Sequence, residues 1–155
     1  VIGDDPGMVT LRDVRPTDIA VFYEFQADPV ANQMAAVSTR DRAAHEAHWD
    51  KILQDPATVN RTIVEDDVVV GDIASFVVDD QRELGYRVGR EYWNRGIASQ
   101  AVQLFVAEVE PRRPLFADVA EHNLGSLRVL DKAGFTVIGK QSVEDDLVLI
   151  VLQLA

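Results

Sequence analysis

A strand, a short loop and a helix start carry the first chemistry in this sequence. In ELGYRVGREYWNRGIASQAV, residues 83–102, a strand pattern ends near Val88 and the loop holds Gly89, Arg90, Asn94, Arg95 and Gly96. A helical pattern begins at once. A helix start leaves backbone N–H groups unpaired and carries partial positive charge, so it attracts anions. Gly96 lets a phosphate approach the backbone, Ala98 is small for the same reason, and Ser99 adds a hydroxyl. Arg90 and Arg95 set two cations beside the loop in an otherwise acidic chain. Together these residues predict a pyrophosphate cradle. It is not a Walker A loop, because no Gly-Lys-Ser/Thr follows, nor the dinucleotide GxGxxG fingerprint.

The elements that must hold this loop follow from periodicity. Met8–Val14 alternates as a strand, and Thr17 can cap a helix with Ile19, Ala20, Phe22, Tyr23 and Phe25 at helical spacing. A short helical turn fits Val30–Met34. Ser38 or Thr39 can cap a further helix to about Gln54, with Asp41 in its first turn; it buries Ala44, His48 or Trp49, Ile52 and Leu53. Strands are expected at Thr58–Val64, Val68–Val78, Glu83–Val88, Leu115–Ala120, Phe135–Lys140 and Leu147–Leu154. Helices are expected at Gly96–Val109 and Leu124–Ala133. Acidic pairs at Asp66-Asp67, Asp79-Asp80 and Asp145-Asp146 mark turns. This order predicts one mixed α/β sheet with helices on both faces. A right-handed parallel crossover should run from Glu83–Val88 to Leu115–Ala120.

The 155 residues fit one domain, read as 8–155 after a flexible lead-in over 1–7. Zero cysteines leave no disulfide, no cysteine nucleophile and no thiolate zinc site. Fifteen Lys+Arg against 26 Asp+Glu give a net charge of -11, which repels a nucleic-acid backbone and mildly favours a cationic partner. There is no apolar run of the ~20 residues a membrane span needs. No secretion-like start is present, so the cytoplasm is the expected compartment.

YWNRGIAS, residues 92–99, resembles the acyl-CoA pyrophosphate loop of the GNAT superfamily of N-acyltransferases. That pattern is Arg/Gln-x-x-Gly-x-Gly/Ala, matched by Gly96 and Ala98. Trp93 stands where Arg or Gln is usual, which is similar to the branch of ribosomal-protein N-terminal alanine acetyltransferases. NLGSLRVLDKAGF, residues 123–135, resembles a second segment of that branch through Asn123, Ser126, Val129, Leu130, Lys132, Gly134 and Phe135. LRDVRPTD near the start and a helix containing Trp49 are similar too, so the resemblance spans nearly the whole chain.

The resemblance implies a GNAT fold, a mostly antiparallel mixed sheet of about seven strands with four helices on both faces. It implies an acetyl-CoA-dependent N-acetyltransferase without a metal, whose acceptor is a protein N-terminus or a small amine. The alternative is a non-catalytic acyl-CoA-binding module. Tyr86, Arg87 and Val88 would pair through their backbone with the pantetheine arm. Backbone N–H groups of Arg95, Gly96, Ile97, Ala98 and Ser99 would hold the pyrophosphate, in the loop that also carries Arg90 and Asn94. Asn123 would contact pantetheine. Arg128 and Lys132 either approach the adenosine phosphates or are ordinary exposed cations.

The implied reaction is direct attack of an amine on the thioester. Glu83 is then the first choice of base. Ser126 would protonate the leaving thiolate, with Tyr86 a second acid or base. A backbone N–H near Val88 would hold the oxyanion. Phe25, Gln33 and Met34 would wall the acceptor pocket. His45 and His48 in HEAHW do not form HExxH, and His122 is a loop histidine beside Asn123. The apolar C-terminal strand is a candidate edge for pairing in a homodimer.

Overall fold

Two aspartate pairs set the register of the first half of the sheet. Asp66 and Asp67 have φ of 48° and 69°, and Asp79 and Asp80 have φ of 50° and 63°. Two successive left-handed residues make the tight hairpin turn whose twist matches the strands, and aspartate tolerates that conformation. The first pair joins β2 (Val59–Glu65) to β3 (Val68–Val78); the second joins β3 to β4 (Gln81–Val88). The second turn is therefore two residues long, and β4 starts two residues earlier than expected.

The computed structural model describes residues 7–144 and 146–155. The expected lead-in, apart from Gly7, lies outside the described residues, as does Asp145. The remaining strands and α-helices are β1 (Val9–Arg12), α1 (Pro16–Gln26), α2 (Pro29–Ala35), α3 (Arg42–Gln54), α4 (Ile97–Leu104, continued by a π-helical turn over Phe105–Val109), β5 (Leu115–Ala120), α5 (Leu124–Lys132), β6 (Thr136–Ser142) and β7 (Val148–Leu154). The seven strands form one sheet in the order β1-β2-β3-β4-β5-β7-β6. All neighbours are antiparallel except β4 and β5, which are parallel and share one registered pair, Glu83 with Phe116. The pairing is not continued towards Val88 and Ala120, so the two strands part there.

Four expectations change. Among the described residues there are five α-helices, because Pro29 and an Asp28 carboxylate that accepts from the Val30 N–H at 2.9 Å make α2 a helix in its own right. The caps shift too. Pro16 pre-sets the first turn of α1, so Arg15 is its cap. Asp41 caps α3 by accepting from the Ala44 N–H at 2.8 Å. The buried face of α3 is His45 and Trp49, with Leu53 44% exposed. His45 Nε2 meets the Ile19 carbonyl at 2.8 Å and Trp49 stacks on Phe22, which rotates that face onto α1. Finally, β7 is interior, between β5 and β6. Its side chains are half-buried or buried throughout, whereas β6 is the edge and exposes Val137 and Ile138.

Strand alternation sorts the two faces. Ile63, Val70 and Ile73 point into a core completed by Ile97, Val102 and Phe105. Thr62 and Asp72 point the other way, towards α1. There Asp18 accepts from Arg12 at 2.7 and 2.9 Å, from the Arg15 N–H at 2.8 Å and from Thr62 Oγ1 at 2.8 Å. Burial alone would raise this carboxyl; the hydrogen bonds outweigh it and hold it below the usual range. Asp18→Asn is expected to cost about 3 kcal/mol, read from the urea midpoint. The contribution is full above the ordinary aspartate value of about 3.9 and is lost as pH falls through the lowered folded value. Wild type and variant should therefore converge in acid.

Candidate active site

Where β4 and β5 part, a cavity of about 630 Å³ opens between β4, α4 and α5. Its outer end is the start of α4. Gly96 has a φ of 79° and Asn94 one of 63°, so two left-handed residues bend the loop into a concave turn. The first helix bond runs from the Gln100 N–H to the Gly96 carbonyl at 3.1 Å. Gly96 has no side chain to cap the N–H groups of Ile97, Ala98 and Ser99. These three residues line the cavity, which makes the end of α4 a site for an anion.

Tyr86, Val88, Asn94, Gly96, Asn123, Ser126, Arg128 and Lys132 line the same cavity, so most of the predicted cofactor residues are brought together. Arg128 and Lys132 form no ion pair among the described residues. The loop arginines are placed differently. Arg90 Nε meets Asp28 Oδ2 at 2.8 Å, and Arg95 meets Glu65 Oε2 at 2.8 Å. Both tie the loop to neighbouring elements, and neither side chain lines the cavity. Asn123 accepts from the Ser126 N–H at 3.2 Å and so caps α5, which leaves its amide N–H groups for a ligand. Trp93 has a role the sequence did not signal. Its Nε1 donates to the Val88 carbonyl at 2.8 Å and closes the loop back onto β4.

Deeper in the cavity the Tyr86 hydroxyl and Ser126 Oγ are hydrogen-bonded to each other. Burial pushes the Tyr86 phenol up to about 12, so it stays protonated at neutral pH and can donate. Glu83 sits at the registered β4–β5 pair, outside the cavity lining. Burial, and then the Asp118 carboxylate, push it up to about 7. A group that exchanges its proton near neutrality is suited to general base work. Of the residues expected to wall an acceptor pocket, Met34 lines this cavity. Gln33 offers its carbonyl to His122 Nε2 at 3.1 Å across the cavity mouth. Phe25 packs edge-on to Tyr92, and a Cβ on Gly89 would meet its ring at 2.6 Å.

A second cavity of about 510 Å³ lies on the opposite face of β4, under α1 and α3. Tyr86 and Arg87 border both cavities. Sequence reasoning noted His45 and His48 but missed Arg40, Asn60 and Asp72, which line it. Asp72 is a lone acid inside the 11-residue strand VVVGDIASFVV, a signal that could have been followed. Burial pushes its carboxyl up to about 7, with Arg87 and Arg40 opposing.

Residues 8–136 match the family described as Acetyltransferase (GNAT) domain. A Bacillus licheniformis protein named uncharacterized N-acetyltransferase p20 is 24% identical over 140 residues, or 82% of this chain and 78% of that one. A GNAT-family acetyltransferase structure from Bacillus anthracis has a TM-score of 0.80 at 16% identity, covering 97% of this chain and 96% of its own. Spermidine N-acetyltransferase from Vibrio cholerae, solved with CoA and spermine, has a TM-score of 0.81 at 12% identity over 94% of each chain. Both structural likenesses are likenesses of fold.

Proposed function

Since the chain belongs to the acetyltransferase (GNAT) family, we propose that it moves the acetyl group of acetyl-CoA directly onto an amine. The observation that carries this reading is the uncapped α4 start opening into the gap between β4 and β5, with the Tyr86–Ser126 pair further in. A pyrophosphate fits three free N–H groups and a glycine with no side chain in the way. In this reading Ile97, Ala98 and Ser99 hold the pyrophosphate through their backbone. Arg128 and Lys132 neutralise the adenosine phosphates, and the free Asn123 amide meets pantetheine. The backbone of Tyr86 to Val88 pairs with the pantetheine amides.

The acceptor reaches the enzyme as an ammonium and must lose one proton before its nitrogen can attack. Glu83, which lines neither cavity, takes that proton through water. A C–N bond forms as the C–S bond breaks. The second proton leaves the nitrogen as Ser126, backed by the Tyr86 hydroxyl, supplies one to the departing sulfur. A backbone N–H near Val88 steadies the charge that develops on the carbonyl oxygen. With no cysteine in the chain, nothing points to a thioester-linked enzyme intermediate. The resembling branch adds a protein N-terminus to small amines as acceptors, with the cytoplasm as the expected compartment.

Thermal unfolding with acetyl-CoA, ATP and NAD tests the donor site. At ~100 times Kd the ligand should add roughly 2.7 kcal/mol, a midpoint rise of about 5–10 °C. A rise with acetyl-CoA and CoA alone is the expected result. No rise at millimolar acetyl-CoA would overturn the reading. Ser126→Ala should keep the rise and lower kcat by about 10- to 100-fold, measured as CoA thiol release.

A further inference from the structure

The second cavity exists because two adjacent strands are bare at its floor. Asn60, Ala74 and Gly85 stand side by side across β2, β3 and β4, and Thr62, Asp72 and Arg87 form the next row on the same face. Ala74 and Gly85 provide no bulk. A Cβ on Gly85 would already meet the Phe76 ring at 3.0 Å. Helices α1 and α3 roof the hollow with Phe22, Trp49 and Ile52. One end is therefore apolar and the floor is polar.

Polar groups around the hollow are short of donors. Among the described residues three buried side-chain atoms have no hydrogen-bond partner: His45 Nδ1, Asn60 Oδ1 and Arg95 Nε. His45 and Asn60 both line this hollow. His45 Nε2 faces the Ile19 carbonyl and so carries the hydrogen, which makes Nδ1 an acceptor. Asp72 has no hydrogen bond or ion pair among the described residues. Buried acceptors left empty are costly and rare. Asp72 lines the hollow without a partner of its own, and an ammonium carries three N–H donors suited to such a carboxylate.

A second charge narrows the ligand. Arg87 donates to the Phe25 carbonyl at 3.3 Å and to Asn32 Oδ1 at 3.0 Å, so its guanidinium is engaged. The side chain of Arg40 has no partner among the described residues. Arg40 itself lines the hollow, beside Asp72 and Arg87. A chain of net charge -11 that gathers two arginines at this cavity is not shaped for a polycation. A free guanidinium is suited to a carboxylate.

Resting on the acetyltransferase reading, we propose that the acceptor is an amino carboxylate with an apolar side chain. Its ammonium sits on Asp72, its carboxylate on Arg40, and its side chain against Phe22 and Trp49. Tyr86 and Arg87 border both cavities, so the amine reaches the acetyl group through the gap beside them. In the transfer, R-NH3+ and acetyl-CoA give the N-acetyl product, free CoA thiol and one proton.

The test measures CoA thiol release with L-phenylalanine, L-leucine, their amides and spermidine, for wild type and Arg40→Ala. Wild type should prefer each amino acid over its amide by about 100-fold in kcat/KM, because the amide leaves the guanidinium unpaired. Arg40→Ala should reduce that preference to a few-fold while its acetyl-CoA thermal shift stays that of wild type. Amides or spermidine turned over as well as the amino acids would overturn the proposal. An undiminished preference in Arg40→Ala would too, as would no turnover of either amino acid by a protein that acetyl-CoA stabilises. A missing acetyl-CoA shift would instead sink the acetyltransferase reading itself.

Discussion

Glu83→Gln should lower the acetylation rate by about 10²- to 10⁴-fold and leave acetyl-CoA affinity as it was, if Glu83 is the proposed base. The carboxyl is pushed up to about 7 by burial and by Asp118. Only its ionised form accepts a proton, so wild-type kcat/KM falls as pH drops below about 7. The variant should lack that limb of the profile. Stability moves the opposite way. A folded carboxyl raised above its unfolded value of about 4.3 binds more protons than the unfolded chain between the two values. Stability therefore declines as pH rises through that window. Removing the charge lifts the unfolding midpoint at pH 8 and changes little near pH 4. Activity lost while stability is gained marks a functional carboxylate; loss of both would assign Glu83 to the scaffold.

Gly96→Asp should weaken acetyl-CoA binding by about 100-fold or more, read by titration calorimetry. The substitution acts twice. A side chain at a φ of 79° costs about 1–2 kcal/mol of backbone strain. The carboxylate then occupies the α4 N–H groups that a phosphate would need, and repels it. Gly134→Asp is the control. Gly134 has a φ of 96° at the end of α5, so it carries similar strain away from the cradle. It should lower the unfolding midpoint and leave the acetyl-CoA Kd unchanged. Equal Kd values for wild type and Gly96→Asp would move the phosphate site away from α4.

The proposed donor half of the site could be read from the sequence because it is local, and its residues line one cavity. Strand, loop and helix start lie within residues 83–102, and Gly96 and Ala98 sit where a phosphate needs room. The second segment, Asn123 to Phe135, is equally contiguous. The arginines of the loop misled for the same reason. Arg90 and Arg95 are next to the cradle in sequence, but Asp28 and Glu65 compete for them from distant elements. The hollow opposite was hidden because its parts are scattered over α1, α3 and three strands. His45, and not His48, faces inward because α3 turns on the Trp49–Phe22 stack, a contact between helices that no local pattern encodes. An apolar run at β7 reads equally as an edge or an interior strand, and the β6–β7 hairpin decides by setting β6 outside.

Tyr86 and Arg87 are the two residues that border both hollows. In the proposed reading the chain is thus divided into a donor half, written in β4, α4 and α5, and an acceptor half, written in α1, α3 and the floor of β2 and β3. Under that proposal, substitutions at Arg40, Asp72 or Ala74 would change what is acetylated without passing through the residues that hold what is donated. Such a chain can acquire a new acceptor by a few steps on one face of a single sheet. It keeps an intact acetyl source throughout, so every intermediate on that path has something to transfer.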